Sequence, residues 1–321
     1  MGLPLQFLAA GSVGAQSLVV VNQGDATVTV IDPSAKRVVA TIPEQVTGVH
    51  GHEVVVSPDG RTAFVPIYGS AGVGQPGIDG HEVLVIDVPS RKIIDRIEFS
   101  HGVRPHLPVF DAHRNVVYVT TELDKTITAI DPATHRVLYA IPTGAEQSHM
   151  LVLSHDGRFG YTANVGPGSV SVMDLERRKV VAVVPVASSV QRIAISPDDK
   201  WVFTSDVAKP RLAVIDTSTN QVARWITLPA EGYGAGATAN GLLLIALPRK
   251  NQVAVINLKT MAVERTVDVA VAPQEVLIRP DQKVAYVSCV AVGKVAAIDL
   301  TTWKVAIIDS GSNSDGLAWA K

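Results

Sequence analysis

An apolar run ending in Ile-Asp, or a close relative of that pair, occurs seven times along this chain: Ile31-Asp32, Ile86-Asp87, Ile130-Asp131, Met173-Asp174, Ile215-Asp216, Ile256-Asn257 and Ile298-Asp299. Successive copies lie 55, 44, 43, 42, 41 and 42 residues apart, so the period is just over forty, with one insertion in the second unit. A fixed period of this length signals a repeat architecture. Within each period, short runs rich in Val and Ile alternate at even spacing with turn residues, which is a strand pattern. Strand repeats of this length close into a propeller and leave only short, protected edges. The expectation is an all-β fold of seven four-stranded blades, one domain over residues 18–321.

Each unit reads as four strands, A to D. Strand A falls at 53–57, 107–111, 150–154, 192–196, 234–238 and 275–279, and ends in turns such as Ser57-Pro-Asp-Gly60, Ser154-His-Asp-Gly157 or Thr238-Ala-Asn-Gly241. Pro presets the turn dihedral, and Asp-Gly or Asn-Gly tolerates positive φ, so these are hairpin turns into strand B. Strand C carries the Ile-Asp pair, and a second turn, such as Asp131-Pro-Ala-Thr134, leads to strand D. The N-terminus starts on a B strand, 18–21, and the C-terminus ends on an unpaired A-like strand, 317–320. Joining these two ends completes a blade and closes the ring.

Composition narrows the function. A net charge of -2 gives no basic stripe, so no nucleic-acid partner is expected. Cys289 is the only cysteine, which rules out an intrachain disulfide and a thiolate cluster, and it reads as a small buried hydrophobe. Residues 1–17 stand outside the repeat; their apolar start and the small residues Val13-Gly-Ala15 read as part of a secretory signal, the alternative being a disordered arm. No other run is long enough to span a bilayer. The expected product is a periplasmic or secreted monomer.

The motifs resemble the YVTN-type propeller repeats: Tyr118-Val-Thr, Tyr161-Thr-Ala-Asn164, Tyr286-Val-Ser, the Ser-Pro-Asp-Gly turns and the recurring Ile-Asp. The resemblance covers about residues 18–320 and implies a bacterial or archaeal propeller, often exported. It implies a fold and no particular reaction.

The repeat also acts as a ruler. In a propeller the A-to-B and C-to-D turns share one face and the D-to-A and B-to-C connections share the other. Counting back five residues from each turn-opening position puts His52, His106 and His149 at one equivalent place in three successive blades, followed by Gln191, Tyr233, Gln274 and Asp315. That place rims one mouth of the central channel. His50 and His101 in D-to-A loops, Glu53, Glu122 in a B-to-C connection and the insertion 68–81 ending in His81 belong to the same side. His113, His135 and His155 fall on the opposite face and read as solvated turn residues.

Neutral imidazoles on rigid strands, with a carboxylate nearby, suit Zn, Cu, Fe or Ni. The expected ligands are His52, His106, His149 and Glu122, with His50, His101 and His81 as additional candidates. A metal-free polar pocket and purely structural histidines are the competing readings. Candidate catalytic groups are Glu122, Tyr233 and Arg192; Arg104 and Arg192 suit a bidentate hold on an anion or rim salt bridges. The glycines around Tyr233 form no phosphate loop, since no helix follows, so no nucleotide cofactor is expected. Three functions remain open: a metal-binding propeller with redox or hydrolytic chemistry, a scaffold holding a small ligand or a protein on its loop-rich face, and a lactonase-like hydrolase.

Overall fold

A computed structural model describes residues 16–321. It is a ring of seven antiparallel sheets, with two single-turn 3-10 helices, Pro248–Lys250 and Val290–Val292, as the only helices among the described residues. Blade 4 shows the plan, with strands Ser148–Leu153, Phe159–Asn164, Ser169–Asp174 and Lys179–Pro185 running from the inside of the ring outwards. The innermost strands, taken from blade 1 to blade 7, are Ser314–Ala320, the pair His50–Gly51 and Val55–Val56, Pro105–Asp111, Ser148–Leu153, Val190–Ile195, Ala235–Ala237 and Pro273–Ile278. Each touches the next in ring order and the last touches the first, so together they wall a central channel.

Blade 1 is made from both chain ends, as expected. Ser17–Asn22 pairs antiparallel with Ser314–Ala320, with Leu18 opposite Trp319 and Val20 opposite Leu317. The Asn22 side chain adds to the seam by accepting from the Gly311 N–H at 3.1 Å and the Ser310 hydroxyl at 3.0 Å. The export-signal expectation rests on residues 1–17, of which 1–15 lie outside the described residues. No helix among the described residues is long and apolar enough to cross a membrane.

The repeated Ile-Asp pair has two separate jobs. Its apolar member is at most 1% exposed in all seven copies, buried between adjacent blades. Its polar member folds the C-to-D turn: one carboxylate oxygen accepts two successive backbone N–H groups, from Ser34 and Ala35 at Asp32 (both 2.9 Å) and from Thr301 and Thr302 at Asp299 (2.9 and 2.7 Å). Such local bonds satisfy turn donors that no ladder reaches. The A-to-B turns use a matching device. The Ser154 hydroxyl donates to Asp156 at 2.7 Å and accepts from the Phe159 N–H at 2.9 Å, and Ser57 and Ser196 repeat this.

Blade 2 departs from the expected plan. Its inner strand breaks at residues 52–54 into two short pieces. The insertion lengthens strands instead of forming one long loop: Tyr68 ends up inside Thr62–Gly69 and His81 inside Asp79–Asp87, and only residues 70–78 loop. Glycine makes this possible, because a Cβ at Gly80 would lie 1.7 Å from the Ile67 carbonyl oxygen. In blade 6 the expected strand 234–238 shortens to Ala235–Ala237.

Ile130 is 0% exposed, so Ile130→Ala should leave a cavity costing about 2–5 kcal/mol, measured by urea denaturation.

Candidate functional site

The inner strands do not run straight where they pass the channel mouth. In blade 4 Ser148 pairs with Asn164 and Met150 with Ala163, which leaves His149 as an extra, bulged residue. Arg192 is the extra residue of blade 5 and has a positive φ of 56°. In blades 3, 7 and 1, two residues face one across the ladder: His106 and Leu107, Gln274 and Glu275, Asp315 and Gly316. A bulge re-aims the side chain it carries, and here it turns these groups into the channel. Hydroxyls support the detour: Thr120 donates to the His149 carbonyl at 2.9 Å, and Thr204 to the Arg192 carbonyl at 2.7 Å.

The three histidines expected to converge do so. The His106 and His149 rings stack with centroids 3.5 Å apart, His52 meets His106 edge-on at 5.2 Å, and His50 stacks on His52 at 4.9 Å. Tyr68, at the start of the insertion, packs against all three at 4.8, 5.1 and 5.5 Å. His106 and His149 are buried; His52 is half-buried, but its Nε2 is sealed from solvent. His52 Nε2, His106 Nδ1 and His50 Nδ1 are buried with no hydrogen-bond partner among the described residues.

Burial pushes the His52 and His106 pKa values well below the ordinary 6.5, and the neighbouring imidazoles and Arg192 push the same way. Burial also lowers His149, against the pull of Glu122. All three rings are therefore neutral near pH 7. Glu122 Oε2 takes a hydrogen bond from His149 Nδ1 at 3.1 Å and one from the Tyr68 hydroxyl at 2.7 Å. With the carboxylate as acceptor, the His149 hydrogen sits on Nδ1 and Nε2 keeps its lone pair. Burial raises the Glu122 pKa, but those two bonds and the nearby Arg104 outweigh it, so the carboxyl lies below its ordinary value and is ionised.

A second layer crosses the channel. Arg192 Nη1 contacts Glu53 Oε1 and Glu275 Oε2, both at 2.5 Å, and its Nη2 contacts Asp315 Oδ1 at 2.9 Å. One guanidinium from blade 5 thus ties blades 2, 7 and 1 together. Gln274 donates to Asp315 at 2.9 Å, Gln191 donates to the Tyr233 hydroxyl at 3.0 Å, and the Arg192 guanidinium lies 5.2 Å from the Tyr233 ring centroid. Burial raises the pKa values of Glu53, Glu275 and Asp315, while Arg192 opposes the rise. Arg192, a candidate anchor for an anion, is committed to internal carboxylates.

The other candidates sort clearly. His101 is exposed and pairs with Asp124 at 2.8 Å; His81 is exposed on its strand. Arg104 is held by Asp79 at 2.5 Å and the Gln75 carbonyl at 2.8 Å. On the opposite face, His135 pairs with Asp95 at 2.6 Å and His155 with Asp199 at 2.5 Å, while His113 Nε2 lies 2.9 Å from the His155 carbonyl oxygen. His113 and His155 are exposed and His135 is partly so, in keeping with solvated turn residues, and all three also connect neighbouring blades. Beside Glu122 a cavity of about 470 Å³ opens between the insertion and blades 3 and 4.

A family model described as the cytochrome D1 heme domain matches residues 111–240, less than half of the chain. The protein YncE of Salmonella typhi and of Salmonella typhimurium is 23% identical over 211 residues, which is 63% of this chain and 60% of theirs. Kuenenia stuttgartiensis hydrazine synthase superposes with a TM-score of 0.76 at 18% identity, over 94% of this chain and 100% of that one. The dihydro-heme d1 dehydrogenase NirN, in complex with DHE, gives 0.67 at 15% identity, over 98% of this chain and 77% of that one. What is shared is the seven-bladed propeller. At these identities the likeness to the solved structures concerns the fold alone.

Arg192→Ala would strand buried carboxylates and should cost about 3–5 kcal/mol by urea denaturation, with Arg192→Lys recovering part of it. Glu44 gives a pH signature. Its Oε2 accepts from the Gly51 N–H at 3.0 Å, its Oε1 is buried without a partner among the described residues, and burial lifts its pKa from 4.5 to about 7. Between those values the unfolded chain ionises at Glu44 while the folded protein keeps the proton, so the stability present below pH 4.5 is lost as pH rises towards 7. Glu44→Gln should therefore stabilise the protein by up to about 3 kcal/mol at pH 7.5, with the difference fading at pH 4.5, read from Tm against pH.

Proposed function

We propose that this propeller binds a transition metal, Zn, Cu, Fe or Ni, through His52, His106 and His149 at the mouth of its channel. One observation carries the reading: sealed imidazole nitrogens on His52 and His106 with no hydrogen-bond partner among the described residues, on rings that burial keeps neutral. A buried acceptor without a donor is costly, and a metal ion would satisfy it. Glu122 then serves as the carboxylate behind His149, fixing the ring's tautomer and basicity as partners of metal-bound histidines do. Among the described residues, no group of three or more His, Cys, Asp or Glu side chains is already arranged to hold a metal ion, so binding requires the stacked rings to turn apart. A bound metal would supply Lewis-acid or redox chemistry. Glu122 would supply a proton acceptor, and Tyr68, whose hydroxyl burial keeps protonated, a donor.

A second reading has its own support. The residues matched by the heme-domain model include Glu122 and His149, and the same imidazoles suit axial ligation of a metallotetrapyrrole. Lactonase-like hydrolysis and capture of a protein partner gain no specific observation beyond the fold. Export and YVTN-type membership belong to the same proposal, resting on residues 1–17 and on the repeated Tyr-Val and Ile-Asp motifs.

The test is elemental analysis of protein loaded with each of the four ions and desalted. We expect about one metal per chain, lost in the triple His→Ala variant and bound about 10–100-fold more weakly in Glu122→Gln. Folded wild type retaining none of the four ions would end the metal reading. A Soret band after hemin titration, abolished by His149→Ala, would favour the tetrapyrrole instead.

A further inference from the structure

We propose that the cavity under the second-blade insertion binds a small organic ammonium ion, with Glu122 as its anionic anchor. The inference stands on the cavity's own charges and does not depend on a metal at the histidines.

The cavity is a built site. One wall is the insertion, with Gly74, Gln75, Pro76 and Asp79; the others are Arg104 and the segments around Leu123 and Gln147. Arg104 holds the insertion in place through Asp79 and the Gln75 carbonyl. Gln147, against which Gly74 is packed, is itself fixed by accepting the Gly166 N–H at 2.8 Å.

Its charges do not cancel where it matters. Of the two lining cations, Arg104 is matched by Asp79 at 2.5 Å and Lys125 by Glu146 at 2.8 Å. The third lining carboxylate, Glu122, is 3% exposed, and its hydrogen bonds, both at Oε2, come from a neutral phenol and a neutral imidazole. Its Oε1 has no hydrogen-bond partner among the described residues. Arg104 contributes its field, but its Nε and Nη2 donate elsewhere. A carboxylate with one oxygen left unpaired makes its strongest hydrogen bond with a charged donor.

The shape and lining restrict the class further. About 470 Å³ suits a small molecule. A single free carboxylate oxygen is a poor cage for a hard metal ion, which takes six or so oxygens, but it is sufficient for an N–H donor. Leu123 and Pro76 offer apolar contact for a short alkyl chain. Anions are disfavoured, because the lining acids outnumber the bases.

The experiment is calorimetric titration of chelator-treated, metal-free protein with n-butylammonium chloride, sodium butyrate and n-butanol at equal ionic strength. Saturable binding of butylammonium alone is expected, weakened about tenfold or more in Glu122→Gln. Leu123 is 43% exposed, so Leu123→Trp should fold normally; by filling the cavity it should abolish binding while leaving the bonds of Glu122 to His149 and Tyr68 intact. Butyrate or butanol binding as tightly as butylammonium, no butylammonium binding at all, or undiminished binding in either folded variant overturns the proposal. Because the protein is metal-free throughout, failure here leaves the metal reading untouched, and loss of the metal reading leaves this result standing.

Discussion

The pairing of Ser17–Asn22 with Ser314–Ala320 is the constraint on which everything else in the molecule rests. Each blade buries its apolar faces only against its neighbours, so an open array would leave two sticky ends. Closing the ring through backbone bonds between the termini removes both ends at once. It also places Asp315, on the closing strand, against Arg192 from the far side of the channel. Fold closure and the interior of the channel are therefore one problem with one solution, and a weakened seam would disturb the ion pairs of Arg192 half a ring away.

Much of this was legible in the sequence. The Ile-Asp repeat works because the apolar residue must be buried between blades while the acid must cap a turn, and both demands recur in every unit. That regular register alone puts His52, His106 and His149 at one equivalent position in three successive blades. Tyr68 was not visible by the same means. Counted from the Ile of its own blade through the strand ladder, it is the equivalent of Glu122 in the next blade, but the insertion hides the match. The crossing of the channel by Arg192 was also out of reach, since a one-dimensional period says nothing about distances across a ring. A trace existed: Glu53, Arg192 and Glu275 each directly follow the rim position, so opposite charges recur at one register. The bulges left no trace beyond small hydroxyl residues such as Thr120 and Thr204 on the partner strands, because a bulge is set by a single extra residue in a loop-sized margin.

The two layers at the mouth have opposite electrostatic characters. The outer one is aromatic and neutral, three imidazoles and a phenol organised by one ionised carboxylate. The inner one is densely charged, with three acids gathered on one base. Burial acts on both, lowering the pKa values of the imidazoles and raising those of the carboxylic acids, a rise that Arg192 opposes.

The charged layer has a mechanical consequence. With the Arg192 guanidinium and its three carboxylate partners drawn together across the bore, blade 5 is clamped to blades 1, 2 and 7, none of which is its neighbour in the ring. The ring is therefore braced by a spoke through its centre as well as by contacts around its circumference, and a substitution at any one of these four charged residues is felt by blades that do not touch.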